Sequence, residues 1–322
     1  MKTKLNIGTH NGVFHADEIV AMALYRAYIE DNVELVRTRN PQELSSCDVK
    51  IDVGGEYAPT CWSSYYGDYM SMTQFRGYAV LGEFDHHQFR EGDELYGLSS
   101  AGLIFKALTE PMSACCDMGE CPWVDTVVSE PSQSLLNLVT AVDARDTRVE
   151  YDKWKNSIFC QDVTFDMLFN AISGCNQLDI ASKEQDDMFN TLTDLFTKYF
   201  KGTIEACELY KTISEIASNT QKEAESKINK IKNTVKVKGQ FVYFEDFQSF
   251  PMAAKWLWDN GYGTKIFVSY DKLQNNWTYQ VDTDVQKIVS VSNTVFVHTN
   301  GFIAKSLDDM DTVVIDLEEV TK

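Results

Sequence analysis

Residues 81–92 read LGEFDHHQFREG. A strand-like run stops at Phe84 and gives way at once to Asp85, His86 and His87, which include two of only five histidines in the 322-residue chain. Successive side chains in a strand or loop point in different directions, so the three cannot share one packed face. A carboxylate and two imidazoles are instead set to converge from one loop at a strand's end. Working outward, strand and helix alternate through the first half. LNIGTH (5–10) precedes ADEIVAMALYRAYIE (16–30), whose apolar spacing is helical and whose first turn holds Asp17 and Glu18, charges that a helix N-terminus favours. VELVRT (33–38) and VKIDVGG (49–55) read as further strands, the second stopped by Gly54 and Gly55, and YAVLGEF (78–84) as another. SSAGLIFKALTE (99–110) opens on serines suited to capping, and SQSLLNLVTAVDARD (132–146) reads as a second helix or helix-to-loop segment. Strand and helix in alternation predict an α/β domain on a mainly parallel sheet.

From about Asp179 to Thr234 the pattern is helical, and residues 204–233 contain neither proline nor glycine. A spanning helix or a helix pair, serving as scaffold, is expected there. Beyond it VKVKGQFVYFEDF (235–247), TKIFVSYD (264–271), NWTYQVDT (276–283) and SNTVFVHTNG (292–301) are β-branched and aromatic runs broken by turn residues. They predict a smaller, sheet-rich domain. The expected division is a first domain over 1–175, a helical connection over 176–234 and a C-terminal domain over 235–322. Two stretches, 58–80 and 111–132, hold no period and read as long excursions between core elements.

The chain carries 29 basic against 48 acidic residues, a formal net charge of −19. That balance argues against a large platform that neutralises duplex phosphates, and leaves room for a cleft where metal ions supply the positive charge. Lys227, Lys230, Lys232, Lys236 and Lys238 form a locally basic run without an acid, most simply a solvated helix end. No signal peptide opens the sequence and no run approaches a membrane span. The eight cysteines are scattered, as free thiols in a reducing compartment would be, so a cytoplasmic protein without membrane contact is expected. CCDMGEC (115–121) lacks the fourth ligand of a closed zinc site, and IDVGGEY (51–57) lacks the third glycine of a dinucleotide fingerprint.

Chemistry-bearing residues gather at strand ends. His10, His15 and Asp17 follow the first strand, Asp52 ends another, Asp85, His86 and His87 a third, and Asp143 and Asp146 lie in VDARD. Open α/β sheets collect ligands outside the carboxyl ends of their strands. Singly, a strand-end aspartate is a turn former and an isolated histidine a hydrogen-bonded bystander. Jointly, the set has the chemistry of a centre for Mn²⁺ or Zn²⁺, and less exclusively Mg²⁺. Aspartates able to bridge would pair two ions ~3.5–4 Å apart, which activates water for attack on phosphorus.

In motif order, Asp52, the Asp85-His86-His87 triplet and the Asp143 region resemble the DHH phosphoesterase superfamily. More closely, IGTHNGVFHADEIVAMAL, VRTRNPQELSSCDVKIDVGGEY, FDHHQ, LSSAGLIFK and FVHTNGFIA are similar to the melanocyte-proliferating-gene exonuclease family, over the first ~110 residues and again at the C-terminus. The resemblance implies a two-metal 3′–5′ exonuclease on RNA: a DHH catalytic domain over 1–175, with the C-terminal domain closing on single-stranded RNA or a short oligonucleotide. It implies two divalent ions, Mn²⁺ first and Mg²⁺ admissible, held by His10, His15, Asp17, Asp52, Asp85, His86 and Asp143 or Asp146. It gives Asp85, His86 and His87 the catalytic positions at the attacked phosphate. His298 and Gly301 in VHTNGF, with Arg37 and Arg39 after the second strand, are the expected substrate contacts. The family pattern has Asn-Gly after its second aspartate, where this chain has Thr147 and Arg148. Which aspartate of the pair reaches a metal stays open, as does the oligomeric state. Two other readings stay open as well: a small-nucleotide phosphatase or pyrophosphatase, which the net acidity suits, and a non-catalytic nucleotide- or metal-binding protein.

Overall fold

The computed structural model describes residues 4–61, 80–110, 128–177, 183–248, 250–271, 275–297 and 301–320. The chain divides into two compact units, residues 1–173 with 186–217, and residues 174–185 with 218–322. The class is α/β, as the alternating pattern predicts.

In the first unit, β1 (Leu5–Thr9), β2 (Val33–Arg37), β3 (Val49–Ile51) and β5 (Val80–Phe84) run parallel, with β4 (Tyr57–Cys61) antiparallel at one edge. The order is β2-β1-β3-β5-β4. Strand β4 lies where an excursion was expected from residue 58. It is short and carries Pro59, which an edge strand tolerates and a central one does not. The remainder of that stretch, 62–79, and CCDMGEC with most of 111–132 fall outside the described residues.

Helix α1 (Ala16–Tyr28) is buried continuously from Ala16 to Tyr25, because it packs on the sheet while α3 (Ser100–Thr109) and α4 (Gln133–Thr147) lie against it. Ile7, Ile19, Leu24, Val49, Ile51, Phe84, Leu103 and Leu138 are among the side chains that fill this core. Ser132 caps α4 by accepting from the Leu135 N–H, and the helix ends at Arg148 in the left-handed region. The helical middle resolves into a pair, α7 (Lys183–Phe200) and α8 (Ala206–Ile231), broken around Gly202.

The second unit holds β8 (Val235–Lys238), β13 (Thr294–Val297) and β14 (Ile303–Ser306) in a six-stranded sheet of order β13-β14-β11-β10-β9-β8, and a ribbon of β12 (Gln286–Val291) with β15 (Ile315–Glu319). Period-two alternation splits its core between the two faces. Val242 and Phe244 of β9 (Phe241–Phe244) and Phe267 of β10 (Ile266–Asp271) pack with Ala224 and Ile228 of α8. Phe241, Ile266 and Val268 point the other way, onto Tyr279 of β11 (Asn276–Gln280) and onto Ile288 and Val291 of the ribbon. Among the described residues no helix is long and apolar enough to cross a membrane.

Candidate metal centre

Parallel strands in register decide where the site forms. Thr9 of β1 lies beside Ile51 of β3, and Ile51 beside Phe84 of β5. The next residue in each strand, His10, Asp52 and Asp85, therefore emerges at the same edge of the sheet. β1 and β3 are also where the strand order reverses, since the chain leaves β1 for β2 on the far side. Ligand sites of open α/β sheets form at this switch point.

The histidines and acids converge there in three sets, each with ligand atoms within 4.8 Å of one another: His10, His15, Glu18 and Asp52; Asp52, His86 and His87; His15, Asp17 and Asp146. Such sets could hold metal ions. Asp52 uses its two oxygens separately. Its Oδ2 is 3.2 Å from His10 Nε2, while its Oδ1 is 3.3 Å from His86 Nε2 and 3.5 Å from His87 Nδ1. The Ser100 hydroxyl donates to that Oδ1 at 3.3 Å. His10 Nε2 also lies 3.0 Å from Glu18 Oε1, and His15 Nδ1 lies 3.6 Å from Glu18 Oε2. His86 Nε2 is 2.9 Å from Asp146 Oδ2 and 4.0 Å from Asp17 Oδ2. Asp52 has φ +55, a conformation uncommon for a residue with a side chain, which functional sites are able to hold.

The electrostatics are those of carboxylates crowded out of water. Burial opposes the charged form of His10, but Glu18 and Asp52 outweigh it and raise its pKa to about 10. Burial likewise opposes the charge on His86, and Asp146 and Asp52 overcome it, again to about 10. Asp52 is held well below the usual carboxylate range against its burial, because His10 and His86 donate to it. Asp17 moves the other way: burial, then the nearby Asp146, Asp52 and Glu18 charges, push it well above that range. Asp17 is 1% exposed, and neither of its oxygens receives a hydrogen bond among the described residues. A buried carboxylate without a hydrogen bond is costly, and a divalent cation would relieve it. The donors, imidazole nitrogen and carboxylate oxygen, fit Mn²⁺ or Zn²⁺ in type.

Not every expected residue joins these sets. Asp85 spends its oxygens on the loops, accepting from the Gly55 N–H at 2.8 Å and from the His87 N–H and ring at 3.0 and 2.7 Å. Asp143 accepts from the Ser99 N–H and hydroxyl at 2.9 and 2.6 Å, and so holds the start of α3 rather than facing the histidines. Burial raises its pKa to about 7 even against those hydrogen bonds. Arg37 is not open to a ligand: its buried guanidinium donates to the Gly12 carbonyl and to Asp186, with the Phe189 ring 4.7 Å away. Arg39 is exposed, within the field of Asp52, Glu18 and Asp85. Gly301 has φ +69, and a Cβ there would come within 2.8 Å of the Ile288 carbonyl, so close packing requires glycine. His298 lies outside the described residues.

Glu18 is the participant that sequence reasoning missed. It reads as an ordinary acid of a helix first turn, yet it is fully buried. The available signal was its place in a helix whose other faces are apolar, which leaves an acid no water to reach.

Comparison with known proteins gives a concordant result. Mouse MYG1 exonuclease is 38% identical over 143 residues, 42% of this chain and 34% of that protein. Bovine MYG1 exonuclease is 57% identical over 153 residues, with the same shares. A MYG1 protein of Chlamydia trachomatis is 46% identical over 109 residues, 34% of this chain and 30% of that one. These matches span about a third of the relatives' length. No solved structure matches. The model of the MYG1 exonuclease family, described as an uncharacterised protein family (UPF0160), matches residues 6–65 and 79–314. With well over half of its length matched, and with the sheet-edge residues inside the match, the chain belongs to that family.

Proposed function

We propose that this protein is a metal-dependent phosphodiesterase that removes nucleotides from the 3′ end of single-stranded RNA or of short oligonucleotides. One observation carries the reading. The two oxygens of Asp52 face separate groups of ligand atoms, as a carboxylate shared by paired ions would. The relatives named as exonucleases lend the reaction class. Substrate, direction and metal are our inference.

In this assignment His10, His15, Glu18 and Asp52 would hold one ion, and Asp17, Asp52, His86 and Asp146 would hold the other, Mn²⁺ by preference and Mg²⁺ admissible. When bound, the ions supply positive charge at the phosphate and acidify a water for in-line attack. Asp85 fixes the His87 ring through Nδ1 and favours its charged form, leaving Nε2 to donate to a non-bridging phosphate oxygen. Ser100 orients Asp52, and Asp143 orients the helix that carries Ser100. Residues 1–175 supply this chemistry, 176–234 connect, and 235–322, with His298 and Gly301, contact substrate. Thiols at Cys160 and Cys207 that form no disulfide among the described residues suit a reducing cytoplasm.

The test is hydrolysis of 5′-labelled RNA with Mn²⁺, beside a dinucleotide and a small phosphate ester. A ladder shortening from the 3′ end is expected, lost in EDTA and restored by Mn²⁺. Asp52→Asn should stay folded and lose on the order of 10²–10³-fold in rate. Activity persisting in chelator would overturn the metal reading. Cleavage of the small ester with RNA untouched would install the small-nucleotide phosphatase, the reading that the net charge of −19 favours.

A further inference from the structure

The sheet of the second unit bears a feature for which the assignment above has no use. On one face, Ile288 and Val291 of the ribbon cover Phe241, Val268 and Tyr279. Two residues further along the same strands, on the same face, stand Tyr243 on β9, Tyr270 on β10 and Trp277 on β11, all half-buried. Tyr270 and Trp277 are direct cross-strand partners, their rings 4.8 Å apart. Phe247, in the turn after β9, lies parallel to Tyr243 at 4.8 Å and edge-on to Trp277 at 5.0 Å.

Phe247 holds that place at φ +54, a left-handed conformation that is an outlier for a bulky side chain. Its N–H donates to the Phe244 carbonyl at 2.8 Å, and its own carbonyl accepts from the Tyr270 N–H at 3.1 Å. Glycine or asparagine would make the same turn without strain, so the ring itself accounts for the residue. Charge on this face is mixed. Lys236 and Lys238 on the edge strand β8 (Val235–Lys238) stand opposite Tyr243 and Phe241, and so leave the sheet on the aromatic side. Lys238 pairs with Asp311, while Lys236 is exposed and has no ion-pair partner among the described residues. Glu245 and Asp246 precede Phe247. The surface is therefore no phosphate trough; it offers ring faces with a cation beside them.

We propose that Tyr243, Phe247, Tyr270 and Trp277 form a stacking platform for unpaired nucleobases of a single-stranded oligonucleotide, with Lys236 meeting one of its phosphates. Sheet-borne rings hold single strands this way because every base has a π face, so sequence matters little. The choice of a nucleic-acid occupant rests on the phosphodiesterase reading, and the test keeps the two apart by measuring binding without turnover.

A dye-labelled short oligouridylate is titrated with the full chain in EDTA. Phe247→Gly removes the ring and relieves the backbone, so its melting temperature should hold or rise while affinity falls about tenfold. Tyr243→Leu and Trp277→Ala should weaken binding about as much, and Trp277→Phe should stay within about twofold. If Trp277→Ala does not fold, Phe247→Gly and Trp277→Phe still decide the matter. Lys236→Gln should make the slope of log affinity against log salt shallower by about 0.7. Equal affinity for wild type and Phe247→Gly would sink the platform, whatever the hydrolysis assays give. A proline-rich peptide binding where the oligonucleotide does not would also overturn it. Lost binding in the ring variants beside an inactive wild type would leave the platform standing and remove the phosphodiesterase.

Discussion

His10 and His86 each sit between carboxylates that raise the imidazole pKa from 6.5 to about 10, so in the metal-free protein both are cations at neutral pH. The sign follows from the folded value being the higher one. Their ion pairs contribute stability in full below the unfolded pKa near 6.5 and lose it as pH rises through about 10. A metal needs neutral nitrogen, so ion binding must expel these protons. Calorimetric Mn²⁺ titrations at pH 7, in buffers of differing ionisation heat, should reveal release of about two protons per chain from the histidines, with Asp17, whose pKa burial raises, adding to it. Affinity should also climb with pH; proton uptake, or none exchanged, would contradict the assignment. Glu18→Gln, similar in shape but uncharged, should weaken ion binding at least about tenfold, since losing a charged ligand costs no less than losing an outer partner of one. The histidines of this site were legible because the chain has only five, and its aspartates because they stand beside those histidines at strand ends. Glu18 was not, since a first-turn acid is explained locally as a charge that a helix N-terminus favours. Asp143 and Asp146, three residues apart on one helix, were indistinguishable in sequence. Ser99, which separates them, comes from 44 residues away.

The start of α3 is the element on which Asp52 leans through Ser100. A Cβ on Gly102 would come within 2.5 Å of both Asp143 oxygens. Gly102→Ala should therefore cost about 1–3 kcal/mol in chemical denaturation, as overpacking does. At the end of α4 the requirement is reversed. Arg148 has φ +65, where the family pattern supplies glycine, and what speaks for the arginine among the described residues is its guanidinium's contact with the Tyr151 ring. Arg148→Gly should raise stability by about 0.5–1 kcal/mol, the left-handed strain relieved less the entropy that glycine adds to the unfolded chain. The parallel strands and their helices could be read from periodicity. β4 could not, because five residues containing Pro59 look like loop until β5 is known to lie beside them. β12 and β15 escaped for a similar reason: they pair mainly with each other, and β15 is mostly exposed.

Across the whole molecule the net charge of −19 repels a polyanion, so on the phosphodiesterase reading any affinity for RNA cannot come from a broad basic surface. The slope of log affinity against log salt should be shallow, equivalent to roughly two to four phosphates at about −0.7 each. Replacing Lys230, Lys232 and Lys236 with glutamine should impair long RNA more than a dinucleotide, and a steep slope insensitive to these changes would contradict it. The same acidity has a second outcome, which starts from the buried carboxylate of Asp17, to which no hydrogen bond is donated among the described residues. On the two-metal reading, the ion-free chain folds with that carboxylate driven toward its neutral form, and ions present at a hundred times their dissociation constant would add about 2.7 kcal/mol. Chelation should then lower the melting temperature and open the chain to protease. In a cell, where degradation follows the unfolded fraction, the amount of this protein would track the supply of its ion, and starvation for that ion would remove the enzyme itself as well as its activity.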